Sequence, residues 1–246
     1  LKPIDGKKGI AERDFYNKAL ASKSGVVSFL PQFHGVVSVS QASGTDLDYL
    51  KLEDLTHSFR KPSILDLKMG RQTWDEAAST KKIQEEKSKY EFQHELGFRF
   101  TAMKVFDVKQ QKYLAFDKTF GSGRGTAQIS SLWQQETGFV VSNSIQIATS
   151  IIAKLDDLLQ WFDTQSDFRF YASSLLIIYE SDDSSDDEKV SSSSKKRKAP
   201  SLDNTLLRMI DFGHVFPIPE KSGRDEGYAH GLKTLKTHLE QIKDLS

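Results

Sequence analysis

The chain has 246 residues, enough to bury a sizeable core, and its 34 Lys and Arg balance 34 Asp and Glu, so no overall basic field marks a nucleic-acid or membrane-surface binder. It has no cysteine, which excludes disulfides and thiolate metal sites and fits a reducing compartment. No apolar run approaches the ~20 residues that span a bilayer and no secretory signal opens the sequence, so a soluble protein, expected to be a monomer, follows.

Leu1 is not a start methionine, and Leu1 to Ile4 reads as the end of an apolar strand, which implies that the sequence begins inside a longer protein. Gly9 to Ser22 carries Ile10, Phe15, Ala19 and Leu20 at roughly helical spacing. Val26 to Val39 is rich in β-branched and aromatic residues, broken by Pro31 and Gly35. Residues 1–56 are therefore expected to form a first lobe, a sheet with one helix packed on it, and residues 57–246 a second. The second lobe opens with a strand, Ser63 to Met69, then a charged helical segment at residues 77–91, then a hairpin of Gly97 to Asp107 and Lys112 to Phe116.

The spacing of Ala148, Ile151, Ile152, Leu155, Leu158, Leu159 and Phe162 predicts a core helix over Ile145 to Phe162. Phe168 to Glu180 and Leu206 to Phe216 read as two apolar strands. Gly231 to Leu245 closes the chain as a helix with Leu232, Leu235, Leu239 and Ile242 on one stripe. Between those strands, residues 181–205 are Ser, Asp and Lys with almost nothing to bury, so a disordered excursion is expected. An acidic block, Ser181 to Glu188, precedes the basic run Lys195 to Lys198. This reads either as a nuclear import signal beside sites for acidic-directed protein kinases, placing the protein in nucleus and cytoplasm, or as a solvated linker.

Chemistry concentrates in three places. Asp211, Phe212 and Gly213 follow an apolar strand, where a carboxylate can project into a cleft and hold Mg²⁺ against nucleotide phosphates. Protein kinases also need a His-Arg-Asp loop, which is missing, so that class is disfavoured. Asp66 and Lys68 lie two apart on a strand and face one side, as a carboxylate to orient or deprotonate a hydroxyl and an ammonium to hold a phosphate, or as a plain surface ion pair. Lys82, Glu85, Glu86 and Lys89 fall at i, i+3, i+4 and i+7 and share a helical face, which suits either a polyphosphate ligand or a salt-bridged solvated surface. Gly121 to Gly125 mimics a phosphate loop, but it follows the charged strand rather than opening the first lobe, and a turn is expected. The histidines form no zinc pattern.

Pro62, Asp66, Lys68 and Gly70 match the PxxxDxKxG signature of inositol polyphosphate kinases. Ser173 to Leu176 reproduces their SSLL strand, Ile210 to His214 stands at their Ile-Asp-Phe-Ala-His segment, and Asp225 to Leu232 is similar to the segment that follows. The chain thus resembles that family along its length, and within it the multikinase branch most. The resemblance implies an α+β, two-lobed, protein-kinase-like (ATP-grasp) fold using ATP and Mg²⁺. It implies Lys2 on the nucleotide phosphates paired with Glu12, Glu53 and Leu55 as the hinge that hydrogen-bonds adenine, and Leu175 as the pocket floor. Asp211 becomes the metal ligand, and Asp66 and Lys68 the catalytic pair. Lys8, Lys82, Glu85, Glu86, Lys89, Lys118 and His214 become contacts to an inositol phosphate. The multikinase branch usually has Gln where Glu85 and Glu86 stand, so two carboxylates beside a polyanion are expected to favour tris- and tetrakisphosphates over the hexakisphosphate. The short spacing from Gly70 to Gly97 implies a compact, open site, able to admit several inositol phosphates and, by extension, phosphoinositide headgroups. A hexakisphosphate kinase is the competing reading within the family; a nuclear scaffold on a vestigial kinase fold competes from outside it.

Overall fold

The computed structural model describes residues 1–42, 44–125, 128–129, 144–181, 204–219 and 223–244. Strand β1 (Lys2–Pro3) leads into helix α1 (Gly6–Ala21), and β2 (Phe33–Ser40) and β3 (Asp46–Leu52) follow. They form an antiparallel sheet in the order β1-β3-β2. A second antiparallel sheet has the order β6-β5-β4-β8-β9, built from β4 (Pro62–Met69), β5 (Phe98–Asp107), β6 (Lys112–Phe116), β8 (Ser174–Glu180) and β9 (Thr205–Ile210). Between β4 and β5 lie α2 (Thr80–Ser88), capped by the Ser79 hydroxyl, and the single turn α3 (Gln93–Leu96). Helix α4 (Ser144–Thr164) packs on β9, and helix α5 (Glu226–Asp244) packs on α4 and β4. A separate pair joins β7 (Phe168–Phe170) to β10 (Val215–Pro217).

Period-2 alternation on β4 sorts its residues cleanly. Leu65, Leu67 and Met69 are fully buried on the helix-covered face, while Ile64, Asp66 and Lys68 sit half-buried on the open one. The helical stripes of α4 and α5 lie where their spacing puts them, with Ala148, Ile151, Leu155, Leu158, Phe162, Leu232, Leu235, Leu239 and Ile242 in the core. In its second turn α5 meets the start of β5 backbone to backbone: a Cβ on Gly231 would lie 2.1 Å from the Gly97 carbonyl oxygen, and Gly97 itself has φ +72°.

Residues 1–56 and 57–244 contribute to one core. The Phe15 ring of α1 lies tilted 4.4 Å from Phe212 and 5.4 Å edge-on from Phe168. The buried stripe of α1 is Gly9, Glu12, Phe15, Tyr16 and Ala19, whereas Ile10 and Leu20 are exposed. Those two lie more than a third of a turn off the Phe15 direction, so of the four apolar residues at roughly helical spacing Phe15 and Ala19 face the core and Ile10 and Leu20 do not.

Two expected strands are each broken in two. Ala172 (φ +53°) separates β7 from β8, and Asp211 (φ +65°) ends β9 ahead of β10. Left-handed backbone at a non-glycine residue ends strand pairing, and no apolar count can see it. The expected excursion at 181–205 falls, at residues 182–203, outside the described residues.

Candidate functional site

Where the α1 end of the first lobe meets the open face of the large sheet, a cavity of about 600 Å³ opens. Its walls bring together Lys2, Lys8, Lys68, Lys82, Glu86, Lys89, Asp211 and His214 from the sequence-derived set, with Glu12, Thr73, Trp74, Asp75 and Arg99. Residues from β1, α1, β4, α2, β5 and the end of β9 thus converge across the whole sequence.

On the first-lobe side, Lys2 Nζ lies 2.8 Å from Glu12 and 2.5 Å from Asp211 Oδ1. Burial alone would lower the Lys2 ammonium, but hydrogen bonds and charge from Asp211 and Glu12 outweigh it and hold its pKa above the ordinary value. Glu12, only 5% exposed, also accepts the Phe212 N–H. One buried acid therefore fixes both the lysine and the backbone just past Asp211. Among the described residues no group of three or more His, Cys, Asp or Glu could hold a metal alone. Asp211, half-exposed at the strand end, suits a cation shared with phosphate oxygens, because Mg²⁺ binds through one or two carboxylates plus substrate phosphates.

At the centre, Lys68 Nζ donates to the Ala172 carbonyl at 2.9 Å, so the left-handed break after β7 aims that carbonyl at the lysine. Burial lowers the Lys68 pKa, assisted by the neighbouring Arg99 charge. Asp66 shares the open face with Lys68, yet it lines a second cavity of about 690 Å³ over β5 and β6. Burial pushes its carboxyl up, opposed first by the Ser174 hydroxyl, and its buried Oδ1 has no hydrogen-bond partner among the described residues. The structure does not place Asp66 among the lysines of the first cavity.

On the far side Glu86 is 6% exposed and gathers three cations. Lys82 Nζ lies 2.8 Å and Lys89 Nζ 2.6 Å from its Oε1, Arg99 Nη2 lies 3.6 Å from Oε2, and Thr73 donates to Oε2 at 3.1 Å. Burial alone would raise Glu86, but hydrogen bonds from Lys82 and Lys89 hold its pKa down at about 2. Glu85 is exposed and outside the cavity wall. The expectation of two carboxylates confronting a polyanion is thereby corrected: a helix turns by ~100° per residue, so neighbours in sequence face different ways. His214 Nδ1 sits 3.3 Å from Asp75, and burial, then the Lys8 charge, lowers its pKa.

Leu175 is a second correction. It pairs with Leu67 and Met209, is fully buried on the helix-covered face, and cannot floor a pocket above the open one; Leu176, opposite Asp66, occupies that face. Lys118 is exposed in the turn after β6, beside the second cavity rather than in the first. Glu53 and Leu55 follow β3, and neither the Glu53 carbonyl nor the Leu55 N–H is taken up by a hydrogen bond among the described residues. The Gly121 to Gly125 run is a turn whose glycines press on rings: Cβ atoms on Gly121 and Gly125 would lie 2.8 Å from Phe100 and Phe92. Sequence reasoning missed Arg99 and Asp75. The pairing of Arg99 with Lys68 was the only signal for the former, and it needs the strand register.

A family model described as inositol polyphosphate kinase matches residues 49–240. The human inositol polyphosphate multikinase is 36% identical over 176 residues, which cover 68% of this chain and 41% of that protein. Mouse inositol hexakisphosphate kinase 3 is 30% identical over 204 residues, covering 80% of this chain and 51% of that protein. The chain thus spans about half or less of the length of these curated relatives. Among solved structures, the inositol phosphate multikinase Ipk2 from S. cerevisiae, in complex with ADP and Mn²⁺, superposes with a TM-score of 0.75 at 24% identity, over 98% of this chain and 97% of that one. That likeness shows the fold.

Proposed function

The chain belongs to the inositol polyphosphate kinase family, and from that premise and the cavity's geometry we propose that it transfers the γ-phosphoryl group of ATP to inositol tris- and tetrakisphosphates. The observation that carries this reading is the charge distribution around Lys68. Lys2, Lys8, Lys68, Lys82, Lys89 and Arg99 line the cavity with the carboxylates Asp5, Glu12, Asp75, Glu86 and Asp211, of which Glu12 and Asp211 hold Lys2. The cations gathered around Lys68 and Glu86 suit a ligand with a few phosphates.

Adenine is held by the free Glu53 carbonyl and Leu55 N–H, over Leu176. A divalent cation, Mg²⁺ or Mn²⁺, held by Asp211 supplies charge neutralisation at the nucleotide phosphates, and Lys2 adds to it. Lys68, fixed by the Ala172 carbonyl, meets the transferred phosphoryl group where negative charge accumulates. Asp66, which lines the second cavity and whose Oδ1 is buried, is assigned no contact to the acceptor in this reading. Lys82 and Lys89, splayed about Glu86, hold the inositol phosphates together with Lys8 and His214. Catalysis rests on positioning and charge rather than on a covalent intermediate.

Phosphoinositide headgroups present the same phosphates and are included as candidate acceptors. A second reading, pyrophosphate synthesis from the hexakisphosphate, draws on the likeness to the mouse hexakisphosphate kinase. We place the protein in nucleus and cytoplasm as a monomer, with Lys195 to Lys198 as the segment read by import factors. Incubation with ATP, Mg²⁺ and a panel of inositol phosphates, resolved by anion exchange, tests the activity. ADP formed in step with a more phosphorylated tris- or tetrakisphosphate is expected. Transfer to the hexakisphosphate alone supports the second reading, and transfer to none of them overturns both.

A further inference from the structure

Arg99 belongs to no motif, yet it occupies the position next to the chemistry. On β5 it is paired directly with Lys68 of β4, and directly opposed residues on adjacent strands place their Cβ atoms about 5 Å apart on one face. Both side chains line the first cavity. The Arg99 side chain is 13% exposed, so its guanidinium has been taken largely out of water, a cost that requires compensation.

The compensation present is partial. Nη1 donates to Gln93 Oε1 at 3.0 Å, and Gln93 is itself locked by its donation to the Gly70 carbonyl at 2.6 Å. The other contact, Nη2 to Glu86 at 3.6 Å, is an ion pair longer than a good hydrogen bond, and Glu86 already receives closer approaches from Lys82 and Lys89. A guanidinium carries five N–H donors in a rigid fork. Here it is held in place on a strand with most of its donors unused among the described residues, beside the lysine that meets the transferred phosphoryl group.

We propose that Arg99 binds a phosphate of the acceptor on the ring carbon next to the hydroxyl being phosphorylated, and so determines which inositol phosphates are accepted. This rests on the reading of the cavity as an inositol phosphate site. The strand pairing sets the distance: a group held one side chain away from Lys68 lies at the neighbouring ring position rather than across the ring. The fork matches two oxygens of one phosphate, which an ammonium does not, so the site reads a vicinal phosphate by shape as well as by charge.

The test uses Arg99→Leu, which keeps the apolar stem, and Arg99→Lys, which keeps the charge and loses the fork. KM and kcat are measured for ATP and for two sets of inositol phosphates, with and without a phosphate beside the accepted hydroxyl. For Arg99→Leu the KM for vicinally phosphorylated acceptors is expected to rise by about tenfold or more, the other acceptors and ATP staying within about twofold, and Arg99→Lys falls between. Equal losses on both sets, or a raised KM for ATP, overturn the assignment, because Arg99 would then act through Lys68 or the fold. If thermal melting shows that Arg99→Leu is unfolded, Arg99→Lys decides: a selective loss supports the proposal, and wild-type selectivity overturns it. A wild-type protein inactive on every acceptor refutes the kinase reading itself, whereas an active one whose selectivity ignores Arg99 refutes only this inference.

Discussion

Glu86 is where the structure changes the expected behaviour most, and it gives a prediction with a sign and a size. Its pKa is held at about 2 against an ordinary 4.5. A depressed acid contributes stability that is fully present above its unfolded pKa and is lost as pH falls through the folded one, here between about 4.5 and 2. The full shift corresponds to ~3 kcal/mol, but Lys82 and Lys89 are half-exposed and screened, so ~1–2 kcal/mol is the expected worth. Glu86→Gln should lower the melting temperature at pH 7 by roughly 2–8 °C, given ~2–4 °C per kcal/mol for a domain of this size. The gap to wild type should close as pH is lowered toward 2. The same change adds one net positive charge to the cavity, so the ratio of kcat/KM for tetrakis- over trisphosphate should rise. Glu85→Gln, on an exposed side chain outside the cavity, should leave melting and ratio unchanged. Melting curves from pH 7 to 2, with the two-substrate kinetics, check both. A pH-independent gap for Glu86→Gln, or equal effects of the two substitutions, would show that the cation cluster does not depend on Glu86.

Asp211→Asn should lower kcat by at least ~100-fold while melting near wild type, since the half-exposed carboxylate is proposed to act on the metal and phosphates rather than on packing; a KM-only effect for ATP would count against its role in transfer. Gly231→Ala puts a methyl group 2.1 Å from the Gly97 carbonyl oxygen, and should cost ~2 kcal/mol or more in urea unfolding, a loss that a neutral result would rule out. Replacing residues 182–203 by a short Gly-Ser turn should leave kcat/KM within about twofold, because the flanks already pair: Glu180 N–H donates to Asn204 O at 3.0 Å and Tyr179 lies opposite Thr205. A tagged version too large to diffuse through pores should then lose nuclear accumulation; unchanged distribution refutes Lys195 to Lys198 as the import signal.

How far the sequence could be read depended on the range of the signal. Alternation along Ser63 to Met69 put Asp66 and Lys68 on one face, and the stripes over α4 and α5 named core residues correctly, because both patterns are local. What failed needed information from other elements. The breaks at Ala172 and Asp211 sit inside apolar runs that read as continuous strands, yet they create the carbonyl that holds Lys68 and the carboxylate that meets Lys2. Leu175 and Leu176 are both apolar, and only their pairing with Leu67 and Asp66 separates core from cleft. Glu85 and Glu86 look equivalent until the fold buries Glu86 against Thr73 and Arg99 and leaves Glu85 exposed. Arg99 itself is invisible without the β4–β5 register.

The central claim is transfer of a phosphoryl group from ATP to an inositol phosphate at Lys68. The direct measurement follows the label from γ-³²P-ATP in single turnover with an inositol trisphosphate, for wild type and Lys68→Ala. Label appearing in the inositol phosphate with wild type, and falling by at least ~1000-fold with Lys68→Ala while ATP still binds, is the predicted result. Label released only as inorganic phosphate, or transfer undiminished without Lys68, would contradict it.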